Sequence, residues 1–307
     1  MSVIGIDTSN YTTSIAFFDG TGGENCSRLL PVKQGELGLR QSDAVFAHTK
    51  SLPELSGRLF SHVQMSEITA VGVSTRPRAV EGSYMPCFMV GYSHAKLLSD
   101  VLGVPLVEVS HQQGHVAASL WSAERMDLMD QPHLAWHLSG GTTELLLVEP
   151  KEKNVVCTKI GGTTDISAGQ LIDRTGQLLE LPFPSGRHLD ALSREAEGKD
   201  VFRVKCRDMA FSLSGVQNKV QQFHAACGIP AETAAYALRC VAKAVYLATE
   251  QALKAYPGLP VVFSGGVASN SMLRKTIAPL NPIFSQPQFS TDNAMGVAVL
   301  AHRMTEV

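Results

Sequence analysis

The stretch VIGIDTSNYTTSIAFF, residues 3–18, sets the reading of the whole chain. Val3-Ile-Gly-Ile-Asp7 is an apolar run of strand length that ends in a carboxylate, and Ser14-Ile-Ala-Phe-Phe18 is a second such run. Between them Thr8-Ser-Asn-Tyr-Thr-Thr13 forms a hydroxyl-rich turn, so the two runs are expected to pair as a hairpin. Backbone N–H groups and hydroxyls in such a turn can point at phosphate oxygens. An ordinary hairpin with a polar turn has the same pattern, and one copy decides nothing.

A second copy lies far downstream. Leu134-Ala-Trp-His-Leu-Ser139-Gly-Gly-Thr-Thr143-Glu-Leu-Leu-Leu-Val148 again reads strand, Gly/Ser/Thr turn, strand. Ser139, Gly140 and Gly141 would let the backbone approach a phosphate closely. Pro260-Val-Val-Phe263 then empties into Ser264-Gly-Gly-Val-Ala-Ser-Asn270, where a strand, Gly265-Gly266 and a helix start follow one another. A strand ending in Asp before a Thr/Ser turn is how actin- and sugar-kinase-like folds build a phosphate loop. Two copies imply a duplicated α/β architecture.

Around these lie the connecting elements. Val45, Leu52, Leu55, Leu59 and Val63 make one stripe of a helix over 42–65, which Pro53 is expected to kink or split. Ile68–Ser74 and Pro105–Val109 read as strands, Tyr84–Leu102 as a helix, and Thr164–Leu179 as a helix with Asp165 near its start and Asp173 in its middle. Pro230 sits at a favourable first position for a helix to about Ala255. Residues 194–208 read as a charged surface excursion. Asp292 precedes a helix from Ala294 to Met304 and could cap it. Arg76 and Arg78 could make a small anion contact, with a solvated loop as the default.

Composition narrows the class. The chain has 307 residues, enough for two domains, with 18% charged residues against roughly 25% in soluble proteins. The net charge of −2 gives no general basic field, so RNA would be held by a local patch or a partner protein. Six scattered cysteines without a CxxC pair suit a reducing, cytoplasmic setting, and no apolar run approaches membrane-spanning length.

The chemistry centres on Val109-Ser-His111-Gln-Gln-Gly-His115-Val. Ser110 is placed to cap a helix, and histidines four apart project from one helix face with Cβ atoms roughly 5–6 Å apart. Both imidazoles can then reach one metal ion. A zincin protease carries Glu after its first histidine as general base. Here Gln112 stands there, and an amide accepts no proton at neutral pH. A metalloprotease is therefore the weakest reading.

Together these segments resemble the TsaD/Gcp family of tRNA threonylcarbamoyladenosine synthase catalytic subunits. The resemblance rests on His111-x3-His115, Leu138-Ser-Gly-Gly141, Ala168-Gly-x3-Asp173, Phe211-Ser-Leu-Ser-Gly215, Ser264-Gly-Gly-Val-Ala-Ser-Asn270 and Ser290-Thr-Asp292-Asn293, all in the family's order. It implies a two-lobed ASKHA (actin- and sugar-kinase-like) α/β fold with duplicated RNase H-like domains. The lobes are expected over 1–108 plus 294–307 and over 109–293, the second carrying the metal and nucleotide sites. It implies one divalent metal ion, iron or zinc, on His111, His115 and Asp292. An adenine nucleotide or acyl-adenylate would lie on Ser139, Gly140, Gly141, Asp173, Gly186, Gly265, Gly266 and Asn270. The implied reaction moves a threonylcarbamoyl group from threonylcarbamoyl-AMP to an adenosine beside a tRNA anticodon, with partner proteins and with room for dimerisation with a family-related subunit.

The chain also departs from that family. A Cys-Asp-Glu-Thr run is expected after the first Thr-Ser, and Asn10-Tyr11-Thr12-Thr13 stands there, so the catalytic candidates of the first turn are Asp7, Asn10 and Tyr11. Arg76-Pro77-Arg78 replaces Gly-Pro-Gly, Thr142 replaces a histidine, and Gln170 replaces a glutamate. An amide and a phenol accept protons poorly at neutral pH. Two alternatives follow: acyl or carbamoyl transfer to a non-tRNA acceptor, and a metal- and nucleotide-binding partner protein with weak catalysis.

Overall fold

A computed structural model describes residues 1–9, 11–31 and 39–306. In chain order the elements are β1 (Ser2–Ser9), β2 (Thr12–Phe18), β3 (Gly23–Leu29), α1 (Gln41–Phe60), β4 (Ile68–Arg76), α2 (Phe88–Leu102), β5 (Leu106–Ser110) and α3 (His111–Ser122). There follow β6 (His133–Leu138), β7 (Thr143–Lys151), β8 (Asn154–Thr163), α4 (Ala168–Leu178), α5 (Gly186–Ser193), β9 (Cys206–Arg207), β10 (Ala210–Phe211) and α6 (Ser214–Cys227). The last are α7 (Pro230–Ala255), β11 (Val261–Ser264), α8 (Ser271–Ile277), β12 (Ile283–Phe284) and α9 (Met295–Thr305).

The chain divides into two compact units, Met1–Gln131 with Glu149–Cys157 and Gln288–Val307, and Pro132–Val148 with Thr158–Pro287. In the first, the sheet order is β3-β2-β1-β4-β5. The β1–β2–β3 strands are antiparallel, and β4 and β5 run parallel to β1. Strand alternation sorts β1 into two faces. Ile4 and Ile6 pack with Leu52, Leu55 and Leu59 of α1 and Val90 and Ala95 of α2. Gly5 and its register partner Gly72 turn the other way, against α9. A Cβ on Gly5 would lie 2.6 Å from the Ala294 carbonyl oxygen, so only glycine lets α9 sit this close to the sheet.

The second unit repeats the plan. Its order is β12-β11-β6-β7-β8-β10-β9, in which β8-β7-β6-β11-β12 matches the first sheet strand for strand. Here too the hairpin β6–β7 is antiparallel, and β11 and β12 run parallel to β6 and β11 respectively. Trp136, Leu145 and Phe263 pack on Val241, Val245 and Ala248 of α7. The Trp136 indole N–H donates to Thr249 Oγ1 at 2.9 Å, which satisfies its one polar group.

Several elements differ from expectation. The helix with Pro53 runs unbroken over Gln41–Phe60, since proline removes one ladder bond and the apolar stripe holds both halves on the sheet. The helix expected from Thr164 starts at Ala168, capped by Ser167, whose hydroxyl accepts from Gln170 N–H while the Gln170 side chain accepts from Ser167 N–H. Asp165 lies outside it. The excursion over 194–208 has no helix but buries Val204. The contact division falls after residue 131 and before residue 288, not at 108/109 and 293/294. The reason is that α3 packs on α9: a Cβ on Gly296 would lie 1.8 Å from the Gly114 carbonyl oxygen, so two glycines bring the helix backbones together.

Candidate functional site

The helix α3 begins where the sequence places it. Ser110 accepts the Gln113 N–H at 3.3 Å and Gln113 Oε1 accepts the Ser110 N–H at 2.9 Å, a reciprocal cap worth about 1 kcal/mol. Gln113 Nε2 also donates to the Val155 carbonyl at 2.7 Å. The first turn of α3 is thereby fixed, and His111 and His115 leave one face together, with ring centroids 4.3 Å apart at 77°.

Asp292 completes the group. It does not cap α9; Asn293 Oδ1 takes the Met295 N–H at 3.1 Å instead. Asp292 Oδ1 lies 3.1 Å from His115 Nε2 and 3.6 Å from His111 Nε2, and the two Nε2 atoms are 2.9 Å apart. The ligand atoms of the three residues all lie within 4.8 Å of one another. All three belong to the first unit, so the expectation of a metal site in the second is corrected: α3 and the segment before α9 pack on the β1 sheet.

Asp7 stands behind His111. It is fully buried, and its carboxylate accepts from Ser9 Oγ at 2.9 Å, from Ser74 Oγ, and from His111 Nδ1 at 3.1 Å. A carboxylate only accepts, so His111 carries its proton on Nδ1 and turns Nε2 toward His115 and Asp292. Burial by itself would lower the His111 pKa; the Asp7 charge, with Asp292, overrides this and raises it well above the ordinary imidazole range. Burial likewise raises Asp292, but hydrogen bonds and charge from His111 and His115 hold its carboxyl well below the usual range. Three lone-pair atoms this close repel unless a proton or cation lies among them. A divalent ion fits that donor set: two imidazoles and a carboxylate suit zinc or iron. Asp7, expected as a catalytic candidate, is fully buried and instead orients the His111 ring. Its sequence signal was the strand-ending position, which does not reveal what a buried carboxylate will face.

Of the other first-turn candidates, Asn10 lies outside the described residues, and Tyr11 is half-buried with its carbonyl bonded to Leu30 N–H at 2.7 Å. His48 was not singled out. It is fully buried under this hairpin, with Nδ1 2.8 Å from Thr13 Oγ1. A histidine inside a long amphipathic helix gives no sequence signal of that kind.

The nucleotide candidates lie in the second unit. The Ser139–Thr142 turn is closed by Ser139 N–H on the Thr142 carbonyl at 2.8 Å and by Thr142 N–H on Ser139 Oγ at 3.1 Å. The start of α4 is sewn to it: Ser167 Oγ donates to the Gly140 carbonyl at 2.5 Å, and Ala168 N–H donates to Thr143 Oγ1 at 2.8 Å. A Cβ on Gly140, Gly141, Gly186 or Gly266 would meet no atom within 4 Å, so these positions face open space. Gly265 differs, with φ of +90° and its α-carbon face against the Leu138 backbone. Asp173 accepts Ser185 N–H at 2.9 Å, and burial pushes its carboxyl up. Asn270 is already engaged: Oδ1 accepts Leu273 N–H at 3.0 Å as the cap of α8, and Nδ2 donates to Asp190 at 2.8 Å. Asp165 binds Ser212, Leu213 and Ser214, joining the Phe211–Gly215 segment to the approach of α4. Hydrogen bonds from Ser212 and Ser214 outweigh burial and lower its carboxyl.

Residues 35–299 match the model of the TsaD family, tRNA N6-adenosine threonylcarbamoyltransferase. The chain belongs to this family. A family member so named from Carboxydothermus hydrogenoformans is 29% identical over 318 residues, covering 98% of this chain and 91% of its own. Among solved structures, full-length HypF in a phosphate- and nucleotide-bound form superposes with TM-score 0.64 at 15% identity, covering all of this chain and 47% of its own. A ROK-family glucokinase from Streptomyces griseus, in complex with glucose and AMPPNP, gives 0.56 at 12% identity over 99% of this chain and 100% of its own. These likenesses show the fold, the two-lobed ASKHA class read from the paired hairpins. Among the described residues no helix is long and apolar enough to cross a membrane.

Proposed function

We propose that this chain transfers the threonylcarbamoyl group of threonylcarbamoyl-AMP to N6 of an adenosine beside a tRNA anticodon. The observation that carries the reading is the His111–His115–Asp292 group, braced by Asp7, in a member of this family. In the reaction the bond from the carbonyl carbon to the phosphate oxygen of AMP breaks. A bond from N6 to that carbon forms, N6 gives up one proton, and AMP leaves.

A divalent ion, zinc or iron, on His111, His115 and Asp292 supplies Lewis-acid polarisation when bound. Asp7 keeps His111 in the tautomer that offers Nε2 outward. The Ser139–Gly141 turn offers open backbone for phosphate, and Asp173, desolvated with one backbone donor, gains from two ribose hydroxyls. Gly186, Gly266 and Gly265 complete the lining, while Asn270 supports it from the cap of α8. The N6 proton has no carboxylate acceptor in the first turn, where Asn10 and Tyr11 stand. The unaltered chain alone is therefore slow; the family reading adds that it works in the cytoplasm and with partner proteins.

The test is turnover of threonylcarbamoyl-AMP with unmodified tRNA, followed as modified nucleoside. Slow transfer, raised about 100-fold in Tyr11→Glu or Asn10→Asp, is expected. Fast transfer by the unaltered chain would show that the turn needs no base. No transfer, alone or with a family-related subunit, would replace the reading with that of a metal- and nucleotide-binding partner protein.

A further inference from the structure

We propose that the segment Arg76–Met85, between β4 and α2, is a contact for single-stranded RNA, with Arg76 and Arg78 on phosphates and Tyr84 beneath a base. The inference rests on the tRNA reading above and names the surface that holds the acceptor. The base of the segment is fixed to the metal-bearing helix. Arg76 pairs in register with Ser110, the cap of α3, and the Pro77 carbonyl accepts the Gln112 N–H at 3.0 Å. Two residues earlier Ser74 donates to Asp7, which holds His111. The far end is fixed as well, since the Cys87 carbonyl accepts from Thr8 Oγ1 at 2.9 Å and Phe88 is buried.

Between these anchors Ser83 closes the segment, its hydroxyl accepting Arg78 N–H at 3.0 Å. The exposed side chains of the segment are Arg76, Arg78, Ala79, Val80, Glu81 and Tyr84, with Tyr84 65% exposed. A phenol ring so exposed forgoes burial that a core would have given it. Glu81 is the single acidic residue of the segment, so its sum is positive in a chain whose net charge is −2. Two guanidinium groups and an exposed aromatic on one segment suit a single strand, which offers both phosphates and unstacked bases; a duplex keeps its bases stacked and paired. Planar, always-charged guanidinium groups suit phosphate. The Gly-Pro-Gly of the resembled family could supply neither contact.

The experiment measures binding of a labelled RNA hairpin with adenosine in its loop, and of a fully paired duplex of the same strand, as a function of salt. The unaltered protein is expected to prefer the hairpin. Tyr84→Ala should weaken hairpin binding about ten-fold while Tyr84→Phe does not, because stacking uses the ring. Arg76→Ala with Arg78→Ala should lower the slope of log affinity against log salt by about 1.4, two single-strand phosphates' worth. Metal content should stay unchanged in all three. Unchanged hairpin affinity and salt slope in the loop variants would overturn the inference, as would equal binding of hairpin and duplex. Absence of threonylcarbamoyl transfer would fall on the functional reading alone, since the binding assay needs no turnover.

Discussion

In the β1–β2 hairpin the polar side chains turn inward: Asp7, Thr8, Thr13 and Ser14 are fully buried; the first three bond to Ser74, His111, Cys87 and His48, and Ser14 Oγ donates to the Asp7 carbonyl. In the β6–β7 hairpin, at the same place in the same strand order, the turn opens outward, with Gly140 and Gly141 facing no atom. The register explains part of the difference. Ser9 pairs with Thr12, only three positions on in sequence, whereas Leu138 pairs with Thr143, five positions on. Duplication supplied two equivalent corners. In the proposed function the first supports His111 through Asp7, and the second, freed of side chains by glycine, offers backbone to a ligand's oxygens.

The comparison can be broken at its strongest point first. His111→Ala with His115→Ala should abolish stoichiometric metal binding and cut turnover on the order of 10³-fold, several kcal/mol of transition-state stabilisation. Metal analysis that still finds one ion per chain would remove the first hairpin's assigned role. Asp7→Asn tests the support itself. The amide keeps an acceptor for Ser74 but loses the charge that orients His111, so metal affinity should fall roughly 10–100-fold in a protein that still folds. Equal affinity by competition with a chelator would make Asp7 a core residue only.

The second hairpin is tested by two glycines. A Cβ at Gly169 would lie 2.4 Å from Gly140 Cα and 2.5 Å from the Ser139 carbonyl, both backbone atoms, so Gly169→Ala should cost about 1–3 kcal/mol. Gly140→Ala meets nothing and should change stability by less than about 0.5 kcal/mol while weakening ADP binding. Denaturant melts that order the two variants the other way would mean that the turn is not the open face. The smallest effect concerns Asp173. Burial raises its carboxyl, so the folded state binds that proton more tightly than the unfolded one. Stability from this group is then gained as pH falls through its folded pKa, and a cost remains at neutral pH. Asp173→Asn should raise the ligand-free melting temperature slightly at pH 7, with the difference closing in acid, and should weaken ADP binding. A variant that melts lower at pH 7 would contradict this.

The sequence carried the hairpins because strand alternation and turn composition are local, and it carried the His111–His115 pair because helix geometry fixes four-residue spacing. It did not carry the role of Asp7, whose partners Ser74 and His111 are distant in sequence and meet it only through sheet pairing and packing. The resemblance points to Asp292 as a site residue; its local signal, a carboxylate before a helix, pointed to a cap, whereas the first N–H of α9 goes to Asn293 Oδ1. The two-unit boundary was misplaced for a similar reason. Gly114 and Gly296 read as unremarkable small residues in helices, and only their juxtaposition shows that α3 belongs with α9.

That glycine crossing has a consequence for how the protein is made. Asp292 lies 177 residues after His115, and α9, which follows it, docks on the first sheet through contacts that Gly5, Gly72 and Gly296 permit. While the ribosome is still translating the second unit, a nascent chain already holds both histidines and their Asp7 brace but not Asp292. On the proposed metal reading, synthesis through α9 is thus a precondition for tight metal capture, and products terminated before Asp292 are expected to emerge without it. On that reading, loading with metal would report that translation had run through α9.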